Sequence, residues 1–235
     1  MTWLKRLGLA GAGLVAAPAS AGIAVHPVIV DLAANDLQRA DIELENTGAD
    51  RSYVVVEPAR IDSPGLPTET RVINPDPQLT GLLASPNKLI LEPGERRFIR
   101  IAALAPADAQ DRIFRVAIRP VAGEVRGEHS GLKVLVGYDV LVIQRPVQPD
   151  GTLRWSREKD GLSVTNNGNT NVELIRGRAC APGQAAAACP ALPPRRIYSG
   201  QTAMIPVAAG AKPIYTVKVA NKLTERTFDT DPGAD

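Results

Sequence analysis

The chain has 235 residues, of which 27 are basic and 25 are acidic, so its net charge is close to zero. Without a basic cluster this balance excludes a nucleic-acid-binding protein, because phosphate binding needs concentrated Lys and Arg. Aromatic residues are scarce at 4%, while Gly and Pro number 20 each and punctuate short runs of Val, Ile and Leu, a pattern typical of an all-β protein.

The first 21 residues have the order of a secretory signal peptide. Lys5 and Arg6 form a basic region, residues 7–17 are a short apolar run, and 19–21 are small residues suited to cleavage. The run is too short and too rich in Gly and Ala for a membrane anchor, which needs about 20 continuous apolar residues. We expect cleavage after Ala21, export to the periplasm, and a mature chain with no stable membrane insertion.

A series of strand signals follows in the first half. In chain order they cover residues 24–32, 40–45, 53–56, 89–91, 98–101, 113–121 and 132–143. Pro27 in the first run is typical of an edge strand. A polar loop at 123–131 contains three glycines; it is either a flexible hairpin connection or a segment that orders when a partner docks.

The second half repeats part of this pattern. Residues 162–168 match 42–48, and residues 200–205 match 94–99 in the same order. This recurrence predicts two copies of one sandwich plan, each with about seven short strands, as in immunoglobulin-like domains.

Two prolines within 145–149 interrupt the strand pattern and predict the domain boundary. The expected organisation is a signal peptide at 1–21, an N-terminal domain at 22–145 and a C-terminal domain at 146–235. The predicted fold class is all-β, with two immunoglobulin-like β-sandwich domains.

Cys180 and Cys189 are the two cysteines of the chain. In an oxidising compartment, the only two cysteines of a chain normally form a disulfide, so we predict a disulfide between them. The alternatives are two free thiols or two cysteine ligands of a metal ion. The lack of a nearby His or third Cys disfavours a metal site.

Candidate catalytic groups do not cluster. His26 and His129 are about 100 residues apart, without a Cys or carboxylate at ligand spacing. Asp108 and Asp111 form a carboxylate pair that we interpret as part of a solvated loop. With no nucleophile elbow or phosphate-binding glycine loop, we expect no enzyme, no cofactor and no metal site.

The strand signal at 132–143 is unusually apolar. One parity is apolar throughout, and the other still carries Leu135, Leu141 and Ile143. A strand of an open antiparallel sandwich should show one polar face. Either the strand is buried on both sides, or it presents a surface for a partner.

Several segments resemble the periplasmic pilus chaperones of the chaperone–usher pathway. In the first half these are SPNKLILEPGERRFIRI (85–101), FRVAIRPV (114–121) and VLVIQRP (140–146); in the second half they are VTNNGNTNVELI (164–175) and PPRRIYSGQ (193–201). The resemblance covers nearly all of the mature chain and is to a divergent branch of the family.

The resemblance implies donor-strand complementation, in which the chaperone lends its last first-domain strand to an incomplete pilin-like subunit, prior to assembly at an outer-membrane usher. The side chains lent to the subunit would be Leu132, Val134 and Val136. Val140 and Val142 would then face the domain's own core. Because all five share one parity, this assignment requires a bulge or twist near 137–139.

The chain departs from the family at the cations that hold the subunit's terminal carboxylate. The first strand offers His26 and Pro27 but no Arg, and Leu141 occupies the position of the family's Lys. Each lost bond is worth about 1.5–3 kcal/mol. Arg145 is an alternative anchor, and by analogy with the family's interdomain ion pair we predict that Arg145 pairs with Asp111 in the cleft between the domains.

The alternative function is a secreted structural or adhesive Ig-like surface protein without chaperone activity. Its sorting signal would be expected at the C-terminus, but residues 230–235 form a short polar tail. A carbohydrate-binding module would need clustered exposed aromatics, and Trp155 is the one tryptophan outside the leader.

Overall fold

A computed structural model describes residues 22–121, 134–185 and 188–229. Across these residues, eighteen strands and one four-residue helix form two β-sandwiches, which confirms the all-β, two-sandwich prediction. The predicted signal peptide (1–21), the polar loop with His129 (123–131), Leu132 and the tail from 230 lie outside the described residues.

The first sandwich uses the chain up to Gln144. Its elements are β1 (Ala24–His26), β2 (Ile29–Leu32), β3 (Arg39–Glu45), β4 (Ser52–Asp62), β5 (Thr70–Val72), α1 (Pro77–Thr80), β6 (Leu82–Ser85), β7 (Lys88–Leu91), β8 (Arg96–Ala103), β9 (Arg112–Val121) and β10 (Tyr138–Gln144). One sheet has the order β1-β3-β8-β6. The other has the order β2-β10-β9-β4-β5, with β7 pairing to β4.

The first predicted strand, 24–32, is two strands in different sheets. β1 pairs with β3, and β2 pairs in parallel with β10. Pro27 lies between them and has no N–H to continue a ladder, so the chain crosses from one sheet to the other at this point. Both strands lie at the edge of their sheet, as the proline predicted.

Alternating side chains from both sheets form the core of this sandwich. Its largest fully buried members are Phe114, Ile23, Leu32, Ile42, Leu44, Leu82, Leu91, Ile99, Ile101 and Ile118. Each such aliphatic or aromatic side chain contributes about 1.5–3 kcal/mol on burial.

The second sandwich begins at Leu153. Its strands are β11 (Leu153–Glu158), β12 (Gly161–Asn166), β13 (Val172–Cys180), β14 (Ala191–Leu192), β15 (Arg195–Ile197), β16 (Thr202–Ile205), β17 (Lys212–Val219) and β18 (Lys222–Thr227). One sheet has the order β11-β12-β16 and the other β14-β13-β17-β18, with β15 pairing to β13. The domain boundary after Arg145 remains a prediction; β10 and β11 flank it.

A bulge in β13 makes room for the central aromatic of this core. The register with β17 shifts between Ile175 and Arg178. Within the bulge, Gly177 lies under the ring of Tyr215, where a Cβ would be 2.2 Å from a ring carbon. Tyr215 is fully buried and packs edge-on to Phe228, with 6.1 Å between ring centroids.

The repeat seen in the sequence corresponds to one hydrogen-bonding unit in each sandwich. In the first, the buried Asn46 donates through Nδ2 to the carbonyls of Asp50 (2.8 Å) and Leu91 (3.0 Å). Its Oδ1 accepts from the N–H of Gly48 (3.0 Å), and its backbone carbonyl accepts from Gly94 (2.8 Å).

The second sandwich contains the same unit around Asn166. Its Nδ2 donates to the carbonyls of Thr170 (2.8 Å) and Ile197 (2.9 Å), and its Oδ1 accepts from Gly168 N–H (3.0 Å). Its backbone carbonyl accepts from Gly200 (2.8 Å). Each Asn therefore ties a turn to the facing hairpin, with the same offsets inside the turn and the same spacing inside the hairpin.

Candidate functional site: the end of β10 and the domain junction

β10 is the last strand of the first sandwich and lies between β2 and β9. Its pairing with β9 runs without a register shift from Tyr138 to Gln144. Val140 and Val142 are fully buried in the core between the two sheets. The expectation that these two side chains face their own domain is confirmed.

The opposite face of β10 is also buried at this level. Leu141 and Ile143 pack with Ile61, Ile113 and Tyr198 in a separate apolar cluster. Tyr198 comes from the second sandwich, and burial raises the pKa of its hydroxyl. Of the two alternatives for this apolar strand, burial on both sides therefore applies to residues 140–143.

The residues just before β10 are different. Val134, Leu135 and Val136 expose 73%, 39% and 48% of their surface. Residues 134–137 are outside the sheet, so the strand predicted from Leu132 begins at Tyr138. Three consecutive apolar residues are thus open to solvent just before a strand that is covered on both faces over residues 140–143.

The bulge or twist expected near 137–139 is absent from the paired residues of β10, which run in regular register from Tyr138. Tyr138 starts the regular ladder and caps this end of the core, with its hydroxyl donating to the carbonyl of Ile23 at 3.0 Å. Val134 and Val136 share the parity of the core residues but lie beyond the point where the core ends. They are exposed because the sandwich stops before them, and no change of parity is needed.

The chain leaves β10 at its other end through Arg145, which is 3% exposed. Its Nε donates to Asp31 Oδ1 at 2.6 Å, and its Nη1 donates to Thr170 Oγ1 at 2.7 Å and lies 3.5 Å from Asp111 Oδ2. The structure thus brings together the predicted pair Arg145 and Asp111, and adds a carboxylate from β2 and a hydroxyl from the second sandwich.

Asp111 is the acceptor that joins the two sandwiches. Its carboxylate accepts from Thr170 Oγ1 (2.7 Å) and from both the backbone and side-chain N–H groups of Asn171 (2.6 Å each). The side chain is 5% exposed, so the interpretation of Asp108 and Asp111 as a solvated loop was wrong for Asp111. Asp108 is exposed and pairs with Arg112 at 2.8 Å.

Pairing and hydrogen bonding explain how Arg145 and Asp111 tolerate burial. A buried charge is costly unless it is paired and hydrogen-bonded, and the single guanidinium of Arg145 lies between the carboxylates of Asp31 and Asp111. Thr170 and Asn171 supply hydroxyl and amide donors to Asp111, and Asp31 keeps 27% of its side chain exposed. Because Nε and Nη1 are directed to these partners and the residue is 3% exposed, the structure does not support Arg145 as an anchor for a subunit carboxylate.

The two positions expected from the resemblance to carry a carboxylate-binding cation carry none here. His26 is exposed on β1, and Leu141 is buried in the apolar cluster against which Tyr198 packs. Sequence reasoning missed Asp31, Thr170 and Tyr198 as junction residues. The polar run around Thr170 was visible, but nothing local showed that it meets Arg145.

Cys180 and Cys189 form a disulfide with an S–S distance of 2.04 Å. The bond closes the loop that follows β13, at the surface of the second sandwich. It lies outside the junction and outside the exposed segment before β10, so its role is local.

Among the residues that the structure describes, no group of three or more His, Cys, Asp or Glu side chains is arranged to hold a metal ion. No helix in the same ranges has the length and apolar character needed to span a membrane.

Comparison with known proteins gives a distant sequence relative and several structural neighbours. No protein-family model matches the chain. A CS1 fimbrial protein of Escherichia coli, named as a fimbrial subunit, is 24% identical over 163 residues, which are 66% of this chain and 67% of that protein.

The structural neighbours match almost the whole chain at low identity. The class 5 fimbriae chaperone CfaA has a TM-score of 0.66 and 19% identity, covering 88% of this chain and 97% of its own. The CupB2 chaperone of Pseudomonas aeruginosa has a TM-score of 0.58 and 16% identity, covering 87% and 98%. A chain of the CsuC–CsuE chaperone–tip adhesion subunit complex of Acinetobacter baumannii has a TM-score of 0.59 and 15% identity, covering 87% and 97%. In fold, the chain is therefore a two-sandwich protein of the kind found in the fimbrial chaperones.

Proposed function

We propose that this chain is a periplasmic chaperone that binds fimbrial subunits by donor-strand complementation and delivers them to an outer-membrane usher. The exposed segment before β10 would enter the subunit, supplying the strand that an incomplete immunoglobulin-like fold lacks. Val134 and Val136, with Leu132 from outside the described residues, are the side chains proposed to fill the subunit's groove.

The observation that carries the proposal is the contrast along β10. Residues 140–143 are buried on both faces, whereas 134–136 are apolar and exposed at the end of the same strand. An exposed apolar strand end invites pairing with another chain. Here the covered half of the strand provides a rigid base for the exposed half, which lowers the entropy lost on binding.

The junction supports the same function. Asp31, Arg145, Thr170 and Asp111 tie both sandwiches to the base of β10, so the second domain is held at a fixed position beside the donor strand. The fimbrial chaperones with the same fold, including those in complexes with subunits, give independent support.

Val134→Asp tests the proposal. Val134 is 73% exposed, so the free protein should keep its melting temperature and circular dichroism spectrum. Burying an unpaired carboxylate in an apolar groove costs several kcal/mol, which should weaken the affinity for the subunit more than a hundredfold. The measurement is recovery of the subunit with tagged chain from periplasmic extract, identified by mass spectrometry.

Leu223→Asp is the matched control, since Leu223 is similarly exposed but lies on β18 in the second sandwich. It should leave subunit recovery unchanged. A folded Val134→Asp protein that retains its subunit would contradict the proposed mechanism. An unfolded one would show that Val134 belongs to the domain's own core.

A further inference from the structure

An apolar row crosses the outer face of the sheet at the same end from which residues 134–136 emerge. The register pairs Val121 of β9 with Tyr53 of β4, and Tyr53 with Ile90 of β7. Residues directly opposite each other share one face. Val121 and Ile90 expose 43% and 53% of their surface, and Tyr53 is partly buried.

The row continues onto the segment before β10. Tyr138 pairs with Ile118. Residues 134–137 lie outside the sheet, but continuing this register by three residues would bring Leu135 opposite Val121. Gly137 already follows that line, since a Cβ on it would lie 3.2 Å from the carbonyl oxygen of Ile118. Leu135 therefore has the parity of the outer row, while its neighbours Val134 and Val136 have the opposite parity.

A shallow groove of about 440 Å³ lies along this row, and a cation borders it. Its lining includes Tyr53, Val55, Lys88, Ile90 and Val121. Lys88 is exposed and forms no ion pair with any residue in the described ranges.

A second cation nearby is already paired. Arg119, opposite Val55 in the next row, bonds Glu57 at 2.9 Å. The groove thus combines an apolar strip with one cation that has no ion-pair partner among the residues the structure describes.

We propose that this end row, defined as Leu135, Val121, Tyr53 and Ile90, is a second contact surface for the same subunit that receives Val134 and Val136. This inference rests on the proposed function. The subunit would place aliphatic side chains against the end row and a carboxylate near Lys88.

The size of the end row favours this occupant. Three paired strands and the segment before β10, at about 4.8 Å spacing, would span roughly 14 Å. A stable interface buries about 800 Å² per partner, so the end row is too small to hold a partner alone, including a second copy of this chain. It fits the margin of a larger interface, and Leu135 joins it directly to the segment that the subunit covers.

Photo-crosslinking in the full-length chain tests the inference. p-Benzoylphenylalanine is placed at position 90, with position 134 as the reporter of donor-strand binding and position 223 as an exposed site in the other sandwich. After irradiation of periplasm, the crosslinked products are identified by mass spectrometry. We expect positions 134 and 90 to capture the same subunit and position 223 to capture none.

The outcomes separate the two proposals. If position 134 captures a subunit while position 90 captures nothing or a second copy of this chain, the end row is not a subunit contact and the proposed function stands. If position 134 captures no subunit, the proposed function fails and the inference fails with it.

The role of the Lys88 charge is tested by measuring association kinetics with the subunit that crosslinking at position 134 identifies. That subunit is purified and mixed with each chaperone variant. Lys88→Glu should slow association about tenfold at low salt and flatten its salt dependence, because a charge at the margin of an interface acts mainly on the association rate. Lys222→Glu, on β18, is the matched control and should change neither. Equal behaviour of the two variants would overturn the predicted carboxylate near Lys88.

Discussion

Asn46 and Asn166 perform the same local task in the two sandwiches, but their surroundings differ. Each buried side chain bonds the carbonyl four residues later and a carbonyl on the facing hairpin. In the first sandwich, the residue four positions later is Asp50, which is exposed. In the second it is Thr170, which is fully buried against Arg145 and Asp111.

The glycine two residues after each Asn shows the same contrast. A Cβ on Gly48 would come within 3.3 Å of the Asn46 side chain, whereas one on Gly168 would lie 2.1 Å from the backbone oxygen of Asp150. A Cβ at position 48 would make one tight contact with a side-chain atom, whereas one at position 168 would overlap the backbone of the interdomain linker. The two copies of the motif thus have the same internal hydrogen bonds, but the residues on the outside of each turn contact different neighbours.

Arg145→Ala should have the largest effect on this contrast, because it removes the cation between Asp31 and Asp111. Breaking a buried ion pair costs about 3–5 kcal/mol, and the relative orientation of the sandwiches should change in small-angle scattering. Arg112→Ala removes an exposed partner of Asp108 and should cost about 0–1 kcal/mol. A scattering profile unchanged by Arg145→Ala would show that the junction does not set the domain orientation.

The different surroundings of Gly168 and Gly48 predict the second largest effect on stability. Gly168→Ala should destabilise the protein by about 3 kcal/mol, since the added methyl group meets backbone and cannot be relieved by a side-chain rotation. Gly48→Ala should cost under about 1 kcal/mol. Denaturant titration of the two variants measures the difference, and similar midpoints would show that the second turn is as free as the first.

The disulfide distinguishes the second sandwich, since Cys180 and Cys189 are joined and no free cysteine is found in the described ranges. Closing a loop of this size contributes at most about 2–3 kcal/mol. Reduction should therefore lower the stability of the second sandwich and leave the first unchanged, as followed by denaturation with and without reductant. Intact-mass analysis provides the check on the bond: alkylation of both thiols in unreduced protein would show that the two cysteines are not joined in solution.

The smallest effect is confined to alkaline pH. Burial raises the pKa of Tyr215 from 10.0 to about 12. The unfolded chain therefore releases this proton from about pH 10 while the folded protein retains it, and stability falls as the pH rises from about 10 to about 12. Tyr215→Phe should lose less stability over this interval in denaturant titrations. A pH dependence equal to that of the wild type would assign the loss to other groups.

The sequence predicted what depends on local pattern. Alternation of Ile42 and Leu44 indicated a strand with one buried face, and these residues are in the core. The repeated Asn-x-Gly turns indicated two related sandwiches, because a buried Asn that bonds its own turn needs only residues close in sequence and one facing hairpin. The two cysteines, nine residues apart, are joined in the structure. Short strands such as β5, β14 and β15 were missed, since two or three residues carry too little periodicity to register.

Only the tertiary structure decided which apolar residues of the 132–143 signal are covered. Val134 and Val142 have the same side-chain type and the same parity, yet one is largely exposed and the other fully buried. Their difference depends on where the core ends at Tyr138 and where Tyr198 of the other sandwich lies. Likewise, Asp111 became the junction acceptor through contacts with Thr170 and Asn171, about 60 residues away. Local periodicity specifies the alternation along a strand, but burial and ion pairing depend on neighbours that the fold brings from distant parts of the chain.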